Sequence, residues 1–169
     1  GNSQPKWIGG ITNVLSYKQF TLSFQFDAQQ GQYRYNQLGN FMSAFGIAAY
    51  TEDRNTSKVF EGVLEDGTPN TQLVYLQQGT GPDGRNYGAG FYRNVHRGVT
   101  ENFVEDASWV RLRNVSLSYD LPSSIFKRTF IKGASFTLTG NNLWLITDYT
   151  GFDPETSSAS AGSNIDAFT

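Results

Sequence analysis

Several groups of side chains in this sequence could do chemistry. Glu101, Glu105 and Asp106 lie close together, and two neighbouring carboxylates are what glycosidic cleavage needs. The same three acids also make a charged surface rim, which is the reading adopted here. Arg111 and Arg113 stand two apart on a strand-like pattern and so share a face. They either reach a ligand from the strand mouth or pair with those acids, and the sequence leaves both open. Tyr87, Phe91, Tyr92 and Trp109 could stack on sugar rings, although most aromatics in a long loop are expected to pack that loop against itself. The ligand-contact candidates are therefore Tyr87, Tyr92, Trp109, Arg111 and Arg113.

Other patterns point to less. Asp148, Asp153 and Glu155 could coordinate calcium, but their spacing is not that of an EF-hand, and they read as solvated loop charges around Pro154. Gly79-Thr-Gly81-Pro-Asp-Gly84 matches a phosphate-loop spacing, yet Pro82 sits inside it and no helix pattern follows to supply an amide-rich N-terminus. It reads as a loop turn. His96 is the single histidine, cysteine is absent, and no serine lies in a nucleophile-elbow motif, so no triad or metal cluster finds support. No cofactor, metal or enzymatic activity is expected. A net charge of -2 gives no field for nucleic acid.

The elements that must position these residues are strands. Phe20, Leu22, Phe24, Phe26 and Ala28 alternate with Thr21, Ser23, Gln25 and Asp27, an unbroken period of two. Trp7 to Tyr17, with Ile11 and Leu15 on the Trp7 face, reads as its hairpin partner across Lys18-Gln19. A third strand is expected from about Ser108 to Leu121, with a phase slip near Arg111 to Asn114 that implies a bulge. A fourth is expected from Gly133 to about Leu145, with a turn of helix at Ser123–Lys127 before it. Residues 31–107 are far longer than the roughly 12–15 residues of ordinary structureless loops. Within them Leu38, Phe41, Met42, Phe45 and Ala49 have helical spacing behind Asn36 as cap, and short strands are expected at Lys58–Leu64 and Gln72–Leu76.

Aromatics make up 15% of the chain and charged residues only 17%, so the polar positions are largely uncharged. No run reaches the 18 or so apolar residues of a membrane-crossing helix. Connections alternate short, long, short, long, as in outer-membrane barrels, and Trp7 and Tyr17 are placed to mark two interfaces roughly 24 Å apart on a tilted strand. Alternation alone suits a soluble β-sandwich equally well. A secreted sandwich of lectin or adhesin type, binding carbohydrate, is the alternative, with a hydrolase more distant.

Specific motifs favour the barrel. Gly-Asn-x-x-Pro-x-Trp-x-Gly-Gly-x-Thr-Asn at 1–13, Phe26-Asp-Ala-Gln29, Asp66-Gly-Thr-Pro-Asn70, Glu105 through Asn114, and Gly140-Asn-Asn-Leu143 through Gly151-Phe-Asp-Pro-Glu155 follow one order. The chain resembles the C-terminal part of SusC/RagA-type TonB-dependent outer-membrane transporters. The resemblance implies a mainly β fold: antiparallel strands of an outer-membrane barrel fragment, with a large extracellular loop containing a short helix. It divides into a hairpin (1–30), a long extracellular loop (31–107), two further barrel strands (108–145) and a second extracellular loop (146–169). It also implies import of glycan oligosaccharides or peptides across the outer membrane of a Gram-negative bacterium. The partners implied are a SusD-like surface lipoprotein lid, TonB and outer-membrane lipid. Family members continue past the segment like Ser163-Asn-Ile-Asp166 into a closing strand, whereas this sequence stops at Phe168-Thr169. The chain is accordingly expected to be a fragment that cannot transport by itself and that self-associates through its strand edges.

Overall fold

The computed structural model describes residues 1–127 and 130–156. The expected end segment near Ser163–Asp166 lies outside them. In chain order the elements are β1 (Trp7–Tyr17), β2 (Phe20–Gln30), β3 (Tyr33–Tyr35), α1 (Gln37–Phe45), β4 (Ser57–Val59), β5 (Leu73–Tyr75), α2 (Phe91–Asn94), β6 (Val104–Asp106), β7 (Trp109–Asp120) and β8 (Ser135–Thr147). Short 3-10 turns occupy Ala49–Asn55, His96–Gly98, Thr100–Phe103 and Ser123–Phe126. Contacts divide the described residues into a sheet unit, Gly1–Tyr33 with Asp106–Tyr149, and a loop unit, Arg34–Glu105 with 150–156.

The sheet unit is one antiparallel sheet in the order β1-β2-β7-β8. Lys18, at φ 53°, and Gln19 turn the first hairpin so tightly that Tyr17 pairs with Phe20. Because side chains alternate, this register sets every row. Tyr17, Phe20, Tyr119 and Phe136 line up across the four strands, as do Leu15, Leu22, Leu117 and Leu138. Beyond the expected bulge, Ile11, Phe26, Leu112 and Trp144 continue the same face. The bulge is real: register shifts between Gln25 and Phe26 and between Leu112 and Asn114, and on β8 Asn142 takes φ 51°.

The opposite face carries hydroxyls and amides that bond across strands. Ser16 meets Thr21 at 3.1 Å, Ser118 meets Thr137 at 2.9 Å, Ser116 meets Thr139 at 3.0 Å, and Asn114 donates to Asn141 at 2.8 Å. Cross-strand pairs of this kind contribute about 0.2–1 kcal/mol each and pin the register.

The apolar face is open. Leu15 is 56% exposed, Phe136 and Leu138 65%, and Tyr17 71%, with no second sheet over them among the described residues. The sandwich alternative required this face to be buried against another sheet. Burying a Leu or Phe side chain is worth about 1.5–3 kcal/mol, so several rows of them in water are strongly unfavourable and call for a cover.

The loop unit has its own small core. Asn36 caps α1 as expected, its Oδ1 accepting from Gly39 N at 2.7 Å. The helix ends at Phe45, short of the expected Ala49, because Gly46 takes a left-handed φ of 67° and its amide turns back to carbonyls of the last turn. The two expected short strands pair as β4 and β5 but are briefer than their patterns suggested, the first being interrupted at Gly62, which takes φ 154°. Phe60 stacks on Phe91 at 4.5 Å, and Leu76, Phe103, Ala44 and Ala48 are buried. Gly90, at φ 86°, lets Phe91 N reach Leu76 O at 3.0 Å. A Cβ there would fall 2.8 Å from that same carbonyl oxygen.

Candidate functional site

On the polar face of the sheet unit, charge clusters at the bulged end, with Asp120 at the opposite end of β7. β7 presents Trp109, Arg111 and Arg113 at alternate positions, so three of the five candidates stand in one cluster. The guanidinium of Arg111 lies 5.7 Å from the Trp109 ring and that of Arg113 5.5 Å from it. Trp109 is 2% exposed, so its role here is to hold the two cations rather than to offer an open stacking surface. Arg113 Nε donates to Asp27 Oδ2 at 3.0 Å, and Gln25 Nε2 donates to Asp27 Oδ1 at 3.0 Å.

Asp27 is thus a member of the cluster that sequence reasoning placed on the polar face without giving it a partner. Its signal was available: it is the single acid in an otherwise uncharged alternating strand. Gly10 on β1 faces it, and a side chain there would press on its carboxylate at 2.9 Å. What the arrangement provides is a fixed, largely neutralised ion pair with a second buried guanidinium beside it, at the end of a wall of hydroxyls and amides.

Tyr87 and Tyr92 belong to the loop unit and stand in separate surroundings there. Tyr87 packs edge-on against Tyr75 at 5.9 Å and donates to Asp83 Oδ2 at 2.8 Å, a bond that raises its pKa. Asp83 closes the Gly79–Gly84 segment, in which Gly81 N donates to Arg85 O and Gly84 N to Gly81 O. That segment is the turn its sequence implied. Tyr92 donates to Asp53 Oδ1 at 2.5 Å and to Tyr50 O at 3.0 Å; burial, and then Asp53, push its pKa up to about 12. His96 sits among Tyr50, Phe91, Tyr92 and Phe103, with ring centroids 5.3–6.2 Å away, and its Nδ1 shares a 3.0 Å hydrogen bond with Ser43 Oγ. Burial lowers its pKa. The loop aromatics therefore largely pack on one another.

The acids of the expected rim have particular tasks. Glu105 accepts from Asn36 Nδ2 at 2.8 Å and from Thr150 N at 2.7 Å, and Asp106 accepts from Ser108 N at 2.8 Å. Asp153 Oδ1 accepts from Glu155 N at 2.9 Å, a local turn before and after Pro154.

No family model matches the chain. Whole proteins do. TonB-dependent receptor P26 of Formosa agariphila is 31% identical over 157 residues, which cover 92% of this chain and 14% of that protein. TonB-dependent receptor P3 of the same organism is 28% identical over 159 residues, covering 92% of this chain and 13% of that one. Among solved structures, the RagAB peptide transporter superposes with a TM-score of 0.57 at 26% identity, covering 96% of this chain and 15% of that chain. The RagAB peptide importer in its open-open state gives 0.51 at 25% identity. The chain thus spans no more than 15% of the relatives it matches. The resemblance to SusC/RagA-type TonB-dependent transporters that its motifs carry holds in sequence and in fold, and the relatives are named as receptors and importers, not as enzymes.

Proposed function

We propose that this stretch of sequence, matched over nearly all its length by TonB-dependent receptors, serves as part of the wall and surface loops of an outer-membrane nutrient importer. The observation that carries the reading is the two-faced sheet. Its strands of 11 to 13 residues reach or exceed the 9–11 that cross a bilayer when tilted. One face is uncovered and apolar, as a lipid-facing wall requires, and the other is hydroxyl and amide, as a water-filled lumen requires.

In this reading the loop unit lies outside the cell, a SusD-like surface lipoprotein acts as lid, and TonB supplies energy from the inner membrane. The cargo is an oligosaccharide or a peptide, and the chain alone does not transport. Tyr87, Tyr92 and Arg113 remain the cargo-contact candidates, the last from the lumen wall, with the buried Trp109 and Arg111 in the same cluster as Arg113. The open edges β1 and β8 would pair with neighbouring wall strands, or between copies when the chain is held alone in water.

The test is genetic. Cells carrying the full reading frame should lose uptake of its nutrient, and growth on it, when either that frame or TonB is deleted. Uptake unaffected by loss of TonB would reject the importer reading.

A further inference from the structure

Two hollows adjoin on the loop unit and share the ring of Phe45. One, of about 260 Å³, is lined on its polar side by Arg54, Asn55, Gln77, Gln78, Tyr92 and Arg93, and no carboxylate lines it. The other, of about 380 Å³, is walled by Leu38, Phe41, Met42, Phe45 and Ile47 and offers no polar atom. Together they fall within the roughly 300–1,000 Å³ of small-ligand sites.

The two arginines are available. The Arg93 guanidinium lies 5.8 Å from the Phe45 ring and has neither a hydrogen bond nor an ion pair among the described residues. Among the described residues Arg54 donates only through Nη1, to the carbonyls of Gly46 at 3.1 Å and Thr51 at 3.3 Å. A guanidinium presents its donors as a planar fork that matches the two oxygens of a carboxylate. A neutral sugar would bring no charge to these forks and would leave hydroxyls without partners in the apolar hollow.

We propose that the paired hollows receive the free carboxyl end of a short peptide whose last residue is apolar. The carboxylate meets Arg93 and Arg54, and the side chain enters the hollow beside Phe45. This deepens the importer reading by choosing peptide over neutral oligosaccharide as cargo, and it rests on that reading for the cargo's relevance.

The test is titration calorimetry on the product of the full reading frame, purified in detergent micelles. The probes are N-acetyl-Ala-Phe with a free carboxylate, the same compound as its C-terminal amide, and maltohexaose. The acid should bind, with the amide about tenfold weaker or worse. Arg93→Gln should weaken the acid about tenfold and erase the acid–amide difference, and Phe45→Ala should weaken both compounds. Equal binding of acid and amide, binding of maltohexaose alone, or wild-type affinity in a folded Arg93→Gln protein would each overturn the proposal. The acid–amide comparison needs no variant, so it stands even where a substitution impairs folding. TonB-dependent uptake without peptide binding would reject this inference and leave the importer reading intact, whereas peptide binding by a protein absent from the outer membrane would do the reverse.

Discussion

Asn36 Nδ2 donates to Glu105 Oε1 at 2.8 Å, joining residues 69 positions apart. The same amide nitrogen reaches Thr150 Oγ1 at 2.9 Å, and its oxygen caps α1. One buried side chain therefore fastens the start of the long loop, its end and the segment that follows β8. Asn36→Ala should cost about 2 kcal/mol, from a lost cap and stranded partners, read as faster hydrogen exchange over residues 37–45. Asn36→Asp keeps the cap acceptor but sets two carboxylates against each other. Its protection should fall as pH rises from about 4 to about 7, because one carboxyl must stay protonated in the folded loop.

His96 gives the unaltered protein the opposite pH dependence. Burial lowers its folded pKa below the ordinary value of 6.5, so the unfolded chain takes up the proton first. Stability is fully present above about pH 6.5 and falls as pH drops through that value toward the lower folded pKa. Protection factors in the loop unit, with the intrinsic pH dependence of exchange divided out, should fall on acidification, and His96→Gln should flatten that profile near pH 6.

Gly90→Ala should destabilise the loop unit by about 1–3 kcal/mol, since a side chain at φ 86° is strained and its Cβ meets Leu76 O at 2.8 Å. The check is hydrogen exchange at the Phe91 amide, whose bond to Leu76 O would be lost. Gly98, where an added Cβ meets nothing within 4 Å, is the control and should tolerate Ala.

The four long strands were legible because each alternates over its length, and even the bulge showed as a phase slip at Arg111–Asn114. Most of the loop was not. The α1 cap at Asn36 and its apolar stripe follow local rules, but Phe91–Asn94 and the 3-10 turns are too short to leave a period. β3 and β6, of three residues each, likewise carry no pattern. The site was half visible. Trp109, Arg111 and Arg113 share a face by spacing, whereas the Asp27 partner depends on cross-strand register. The tie from Glu105 to Asn36 and Thr150 is non-local and left no sequence signal.

Asp27 and Arg113 should be energetically coupled. A double-mutant cycle with Asp27→Asn and Arg113→Met should give about 1 kcal/mol, as befits a pair whose side chains are 26% and 30% exposed. A coupling near zero would mean that Gln25 alone holds the carboxylate.

The central claim is that one face of the sheet meets lipid and the other meets water. Ser116 and Leu117 are adjacent on β7 and point to opposite faces, and the chain has no cysteine of its own. Single cysteines at these two positions, in the full reading frame cleared of any cysteine outside this chain and expressed in the outer membrane, can be challenged with a water-soluble maleimide and with a fluorophore quenched by nitroxide-labelled lipid. The expected result is maleimide labelling at Ser116→Cys only and lipid quenching at Leu117→Cys only. Labelling of Leu117→Cys from water, or lipid quenching at Ser116→Cys, would contradict it.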